Sequence, residues 1–175
     1  RDFAQQDEQV MAKLNREHPG AAGIASYLLN RECYPVYENT AVKYLPLGED
    51  KVAELKIQLK KAQHFIFLEY FIIEEGEMWD TVLDILKEKV REGVEVRMMY
   101  DGTNTLSKLP PGYPRQMKEL GIHCKVFAPI RPFLSTSQNN RDHRKILVID
   151  GHTAFTGGIN LADEYINKVV RFGHW

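Results

Sequence analysis

Residues 143–160 read HRKILVIDGHTAFTGGIN, and the reading of this stretch decides the fold. Two β-rich runs, Arg144 to Ile149 and His152 to Thr156, are joined by Asp150-Gly151. That dipeptide suits a type I′ hairpin turn, in which both central residues take positive φ. A two-residue turn pairs Ile149 with His152, sets Lys145 opposite Thr156 and sets His143 opposite Gly158. Alternation along a strand then projects His143 and Lys145 from one face, about 7 Å apart. Asn160 lies one step beyond Gly158 on that same face. Gly157 and Gly158 leave room for a ligand to approach the backbone. An imidazole, an ammonium and a carboxamide around one point suit a phosphodiester. A neutral imidazole can attack phosphorus, while the lysine and the amide hold the non-bridging oxygens as charge develops. Asp150 has the opposite parity and belongs to the turn.

Upstream of the hairpin, strand and helix signals alternate. Ala41 to Leu45 reads as a short strand, and Asp50 to Ala62 as a helix with Val52, Leu55 and Leu59 on one face. Phe65 to Ile73 is an aromatic strand, and Met78 to Arg91 is an amphipathic helix stopped at Gly93. Val94 to Tyr100 is the next strand, Tyr113 to Leu120 a helix ended by Gly121, and Ile122 to Phe127 a further strand. Ala128 to Asp142 is a loop rich in Pro, Ser and Asn, of a length that is often functional. Leu161 to Ile166 starts a final helix. This order predicts an α/β fold, a largely parallel sheet flanked by helices on both faces. Ahead of it, Asp2 to Arg16 and Ala21 to Arg31 are helix-compatible and are separated by His18-Pro19-Gly20.

The 175 residues, 43% hydrophobic and 27% charged, have a globular balance. A net charge of −1 and a pI near 6.7 argue against a domain built to bind nucleic acid. Cys33 and Cys124 form neither a CxxC pair nor a zinc spacing and are expected to be buried thiols. No His, Cys and carboxylate cluster has metal-ligand spacing. The most apolar run, Phe65 to Ile73, is short for a membrane-spanning helix and is interrupted by Glu69 and Tyr70. The chain begins at Arg1 without a signal-peptide pattern and ends on RFGHW, so it is expected to be a piece processed or cut from a longer fold.

The spacing H-x-K-x4-D-x6-G-G/S-x-N is met without a gap by His143, Lys145, Asp150, Gly157, Gly158 and Asn160. It resembles the HKD motif of the phospholipase D superfamily. The stretches FLEYFII (67–73), VEVRMMYDG (94–102), FAPIRPF (127–133), NNRDHRK (139–145) and GGINLADEY (157–165) are similar to bacterial cardiolipin synthases. Those enzymes commonly carry Gly at the position of Gly158, where other superfamily members have Ser. The resemblance implies a phospholipase D-like fold with one HKD half. Residues 41–175 would form the first such domain, truncated at its C-terminus, after an N-terminal helical segment over residues 1–40. In the complete enzyme two phosphatidylglycerol molecules give cardiolipin and glycerol through a phosphohistidine. His143, Lys145, Asp150 and Asn160 are the motif's catalytic set, and no cofactor or metal is required. The implied partners are phosphatidylglycerol, a membrane surface, and a second HKD half from the same chain or a second subunit; nucleic acid is not among them. The implied location is the bacterial cell membrane, with the catalytic domain on the cytoplasmic side and the spanning segments outside this chain. Gly157, Gly158, Asn140, Arg141 and Glu69, with Arg131 and Asn139, are the expected headgroup contacts. Two other classes compete. An HKD phosphodiesterase or nuclease working as a homodimer is opposed by the near-neutral charge, and a non-catalytic headgroup-binding module is opposed by the intact motif. His123 and Lys125 share the H-x-K spacing, but Ile130 stands where an Asp is required.

Overall fold

The computed structural model describes residues 5–32, 34–130, 140–171 and 173–175. The chain divides into two compact units, Arg1–Tyr44 and Leu45–Trp175. The first holds α1 (Glu8–Glu17) and α2 (Pro19–Glu32). The Asp7 carboxylate caps α1 by accepting from the Gln9 and Val10 amides at 2.8 and 3.4 Å. Pro19 opens α2 at a position whose amide would have no helical partner, so the break between the helices is a single residue, His18. The strand expected over Ala41 to Leu45 does not form: none of these residues is in a strand, and Val42 and Tyr44 are exposed.

The second unit runs α3 (Gly48–Lys60), β1 (Phe65–Tyr70), α4 (Glu77–Arg91), β2 (Glu95–Asp101), α5 (Asn104–Ser107), α6 (Tyr113–Glu119), β3 (His123–Phe127), β4 (Lys145–Ile149), β5 (Thr153–Thr156) and a 3-10 turn, Asp163–Ile166. The strands form one sheet in the order β3-β2-β1-β4-β5. β1, β2 and β3 are parallel, and β4 is antiparallel to both β1 and β5, so β4 alone runs against the others. The α/β sheet flanked by helices is therefore present. α5 carried no periodic signal and was not anticipated.

Alternate residues of the strands are buried: Ile66, Leu68 and Tyr70 on β1, Val96, Met98 and Tyr100 on β2, Leu147 and Ile149 on β4. They share one core with Val52, Leu55 and Leu59 of α3 and with Trp79, Val82 and Leu86 of α4. α6 joins the same face, with Tyr113 edge-on to Tyr100 at 6.2 Å and accepting from Trp79 Nε1 at 2.5 Å. The opposite face, with Phe65, Phe67, Met99, Ile146 and Val148, is only half-buried. The expectation of helices on both faces is thus corrected for the described residues. The crossovers β1-α4-β2-α6-β3 all step the same way along the sheet, and crossovers of one hand then share one side. The chain reverses only through the β4-β5 hairpin, which contains no helix.

The hairpin turn has the torsions expected of Asp150-Gly151, φ 54° and 67°, with the His152 amide donating to Ile149 O at 3.0 Å. The register differs from the expected one. Ile149 pairs with Thr153 and Ile146 with Thr156, so His152 is one extra residue, a bulge on the β5 side. Consequently Lys145 does not face Thr156, and His143 and Gly158 lie beyond the ends of the ladder.

The Asp150 carboxylate accepts from the amides of Gln63, His64 and Phe65, each at 2.8 Å, tying the α3-β1 connection to the hairpin tip. Partial burial works against its charged form, but the three amides prevail and hold the carboxyl below the usual aspartate range. Stability from such a group is fully present above the unfolded pKa of about 4 and is lost as pH falls through the lower folded value. Asp150→Asn, which tolerates the positive φ, is expected to lower stability at pH 7 by about 1–3 kcal/mol. The deficit should shrink in urea unfolding below pH 4. A deficit that stays constant from pH 7 to pH 2 would contradict the role of the charge.

Candidate active site

The site forms where β1 ends and β4 begins, adjacent because the two strands are antiparallel. The segment after β1 is pinned from both sides by two asparagines. Asn104 accepts from the Ile73 amide at 2.9 Å and donates to Phe71 O at 2.5 Å and Asp101 O at 2.8 Å. Asn160 accepts from the Ile72 amide at 3.0 Å and donates to the Tyr165 hydroxyl at 2.9 Å. Phe71 is thereby held as a fixed wall. The exposed ring of His143 lies against it, centroid to centroid 4.7 Å, and Lys145 Nζ lies 5.2 Å from its centre. Lys145 is buried and donates to His143 O at 2.6 Å. Burial pushes its ammonium below the usual lysine range, and Asp142 opposes that shift.

The sequence-derived residues separate into those that meet here and those that do not. His143 and Lys145 meet at Phe71. Asn160 holds the next residue, but not from an extension of β5: residues 160–161 run beside 72–74, with Leu161 N donating to Ile72 O and Glu74 N to Leu161 O. Its carboxamide is engaged at both ends, which corrects its placement on the partner strand. Gly157 and Gly158 are exposed, and nothing lies within 4 Å of where a Cβ at Gly158 would be. Asp150 is at the far end of β4, so it is not brought to the site despite its position in the motif. Arg141 does not point at an open cleft: its Nη1 donates to Ala128 O at 2.9 Å and to Asp101 Oδ1 at 3.3 Å. Asn140 is exposed, and Arg131 and Asn139 lie outside the described residues. Cys124 is only partly buried, with its thiol pushed up to about 12 by burial, and Cys33 is outside the described residues.

The residue directly before the histidine belongs to an acidic group. Asp142 is buried, its amide donates to Asp101 Oδ2 at 3.0 Å, and Arg144 donates to its Oδ1 at 2.9 Å. Arg144 also pairs with Glu69 at 2.7 Å. Glu69 is pushed up to about 7, first by burial and then by its hydrogen bond with Asp142 and that group's charge, with Arg144 opposing. Burial works against the charged form of Asp142 as well, but the hydrogen bonds from Glu69 and Arg144 hold it down. Asp142 Oδ2 has no donor if both carboxyls are ionised; a protonated Glu69 supplies one. A raised folded pKa means stability that is present below the unfolded value, about 4.3, and is lost as pH rises towards 7. Glu69→Gln should remove that decline and should match or exceed the wild type in stability at pH 8. A wild type whose advantage over the variant grows from pH 5 to pH 8 in chemical unfolding would contradict the shared proton.

Sequence reasoning missed Lys51. It lies in the first turn of α3 on the i, i+4, i+8 row with Leu55 and Leu59, a lysine on the buried stripe, and that row was the available signal. Lys51 is buried, and its Nζ lies 5.9 Å from the centre of the Tyr70 ring.

An imidazole is able to act as a nucleophile and an ammonium to balance charge on an anionic ester, and here the first is exposed and the second buried at one strand end. The fold is shared with NucT from Helicobacter pylori, at a TM-score of 0.51 and 14% identity over 68% of this chain and 72% of that one. Residues 55–169 match the family model described as the phospholipase D-like domain of cardiolipin synthase, and the chain belongs to that family. It is 37% identical over 172 residues to a cardiolipin synthase of Halalkalibacterium halodurans, covering 98% of this chain and 33% of that protein. It is 55% identical over 173 residues to an uncharacterized protein of Streptococcus mutans, covering 99% of this chain and 38% of that protein. The chain thus spans about a third of the length of these curated relatives. No described helix is long and apolar enough to cross a membrane.

Proposed function

We propose that this chain carries one catalytic half-site for phosphatidyl transfer at a phospholipid surface. The observation that carries the reading is the pairing of exposed His143 with buried Lys145 against the fixed ring of Phe71. On this reading residues 41–175 are the first of two HKD halves. His143 attacks the phosphorus of phosphatidylglycerol. The phosphorus–oxygen bond to the headgroup glycerol breaks, glycerol leaves with a proton, and a phosphohistidine remains. The primary hydroxyl of a second phosphatidylglycerol then loses its proton and attacks that phosphorus, restoring the imidazole and yielding cardiolipin. Lys145 balances charge on the phosphoryl oxygens in both steps.

Nucleophile and proton donor stand nearly in line across phosphorus, so one imidazole cannot serve as both. The 175-residue chain is therefore expected to be inactive as a monomer, because general acid–base help is worth about a hundred- to ten-thousand-fold. The test is a solution mass measured beside cardiolipin formation from phosphatidylglycerol vesicles, on one sample. Cardiolipin made by a proven monomer would contradict the two-histidine chemistry. Activity confined to a dimer would mean that two copies of His143 complete the site.

A further inference from the structure

The strongest feature left unused is the buried ammonium of Lys51. Its Nζ is shielded from solvent and has no hydrogen-bond acceptor among the described residues. It lies over the Tyr70 ring, 5.9 Å from the centre. The Tyr70 hydroxyl is likewise buried without a partner among the described residues. Tyr70 pairs with Lys145 in the β1-β4 ladder, so the lysine of α3 and the lysine of the motif approach the same strand end. A Cβ on Gly157, the exposed first glycine of the motif pair, would lie 3.7 Å from Lys51 Nζ.

We propose that Lys51 is a second phosphate-binding residue of this site, its ammonium taking one non-bridging oxygen of the substrate phosphodiester while Lys145 takes the other. The inference rests on the reading of His143 and Lys145 as a phosphoryl-transfer site. An uncompensated buried ammonium is costly, and a cation–π contact at 5.9 Å offsets only part of that cost. Two such ammoniums at one strand end repel each other, and a single phosphodiester, whose one negative charge is shared by two non-bridging oxygens, gives each of them an acceptor. Burial first, and the nearby charge of Lys145 second, push the Lys51 ammonium down to about 8, and an anion beside it would act in the opposite direction. Lys145 spends one N–H on His143 O, whereas Lys51 keeps all three donors for a ligand among the described residues. Gly157 keeps the approach clear, since any side chain there would reach into contact with the ammonium.

The test measures binding rather than turnover, using inorganic phosphate and dihexanoyl phosphatidylglycerol as probes, read from lysine ε-carbon NMR shifts on the full 175-residue chain. Lys51→Met is expected to weaken binding of both probes by about tenfold or more, a change of about 1.4 kcal/mol, and Lys51→Arg to stay within about threefold of the wild type. Lys51→Met should also unfold no earlier than the wild type, because a buried uncompensated charge has been removed; a lysine kept only for packing would predict the reverse. If Lys51→Met binds phosphate like the wild type while Lys145→Met does not, the inference about Lys51 fails and the site stands. If neither variant changes binding, both readings fail. Should the variants not fold, the wild type still decides: saturating phosphate must move the Lys51 ε resonance, and an unmoved resonance overturns the proposal.

Discussion

Replacing His143 with Ala is expected to lower phosphatidyl transfer by on the order of ten-thousand-fold or more in any active assembly of this chain. In the proposed mechanism the side chain supplies the attacking nitrogen, so its loss would remove the bond that forms in the first step rather than a contact that assists it. The effect on stability should be small, because the ring is exposed and its recorded contact is the face of Phe71; exposed changes of this kind usually stay within about 0.5 kcal/mol. The two readouts together make the prediction specific. Phosphatidylglycerol labelled on phosphorus should leave on the wild-type protein a label that is lost in acid and kept in base, as a phosphorus–nitrogen bond to histidine is and a serine ester is not, and none on His143→Ala. If label persists on His143→Ala and disappears only when a second histidine is changed, His143 is the proton donor and the other residue is the nucleophile.

The second large effect is structural. Asp101 has no solvent exposure, and its carboxylate accepts from the Thr103 amide at 2.9 Å, the Asp142 amide at 3.0 Å and Arg141 Nη1 at 3.3 Å. It therefore joins the end of β2 to the residue directly before His143. Asp101→Ala leaves two amide donors without an acceptor and removes the counter-charge of a guanidinium, and breaking a buried pair in this way costs about 3–5 kcal/mol. That is a large fraction of the 5–15 kcal/mol that typically separates folded from unfolded states. The expected result is a strongly lowered urea midpoint, with the His143 segment released from β2. An unfolding free energy lowered by less than about 1 kcal/mol would mean that water replaces the carboxylate and that Asp101 is not the anchor.

Much of this molecule was legible because the signals are local. The apolar rows of α3 and α4, the strands on either side of α4, the positive-φ Asp150-Gly151 turn and the H-x-K spacing each depend on residue types a few positions apart. The position of Glu69 at a strand end places it near the site mouth, and the structure adds what position alone does not carry, burial and the charge of Asp142 beside it, which together raise its pKa. Arg141 and Asn140 are expected headgroup contacts because they directly precede the HKD strand, a placement that does not distinguish a ligand contact from an anchor. Arg141 contacts Ala128 and Asp101, two segments distant in sequence.

The sequence by itself determined the family motif, the type and order of the main elements, and the chemistry available to His143 and Lys145. Only the tertiary structure decided the register of the hairpin, where one extra residue at His152 slides every partner by one position. It also decided that Asn160 holds the Ile72 amide across 88 residues, that Asp150 reaches the amide of His64 across 86, and that Lys51 comes to the strand end shared by Tyr70 and Lys145. The physical reason is the same in each case. Periodicity and turn chemistry fix how a segment bends and which side of it is apolar, whereas a hydrogen bond or a buried charge is satisfied by whichever distant atom the packing of helix on sheet brings within about 3 Å.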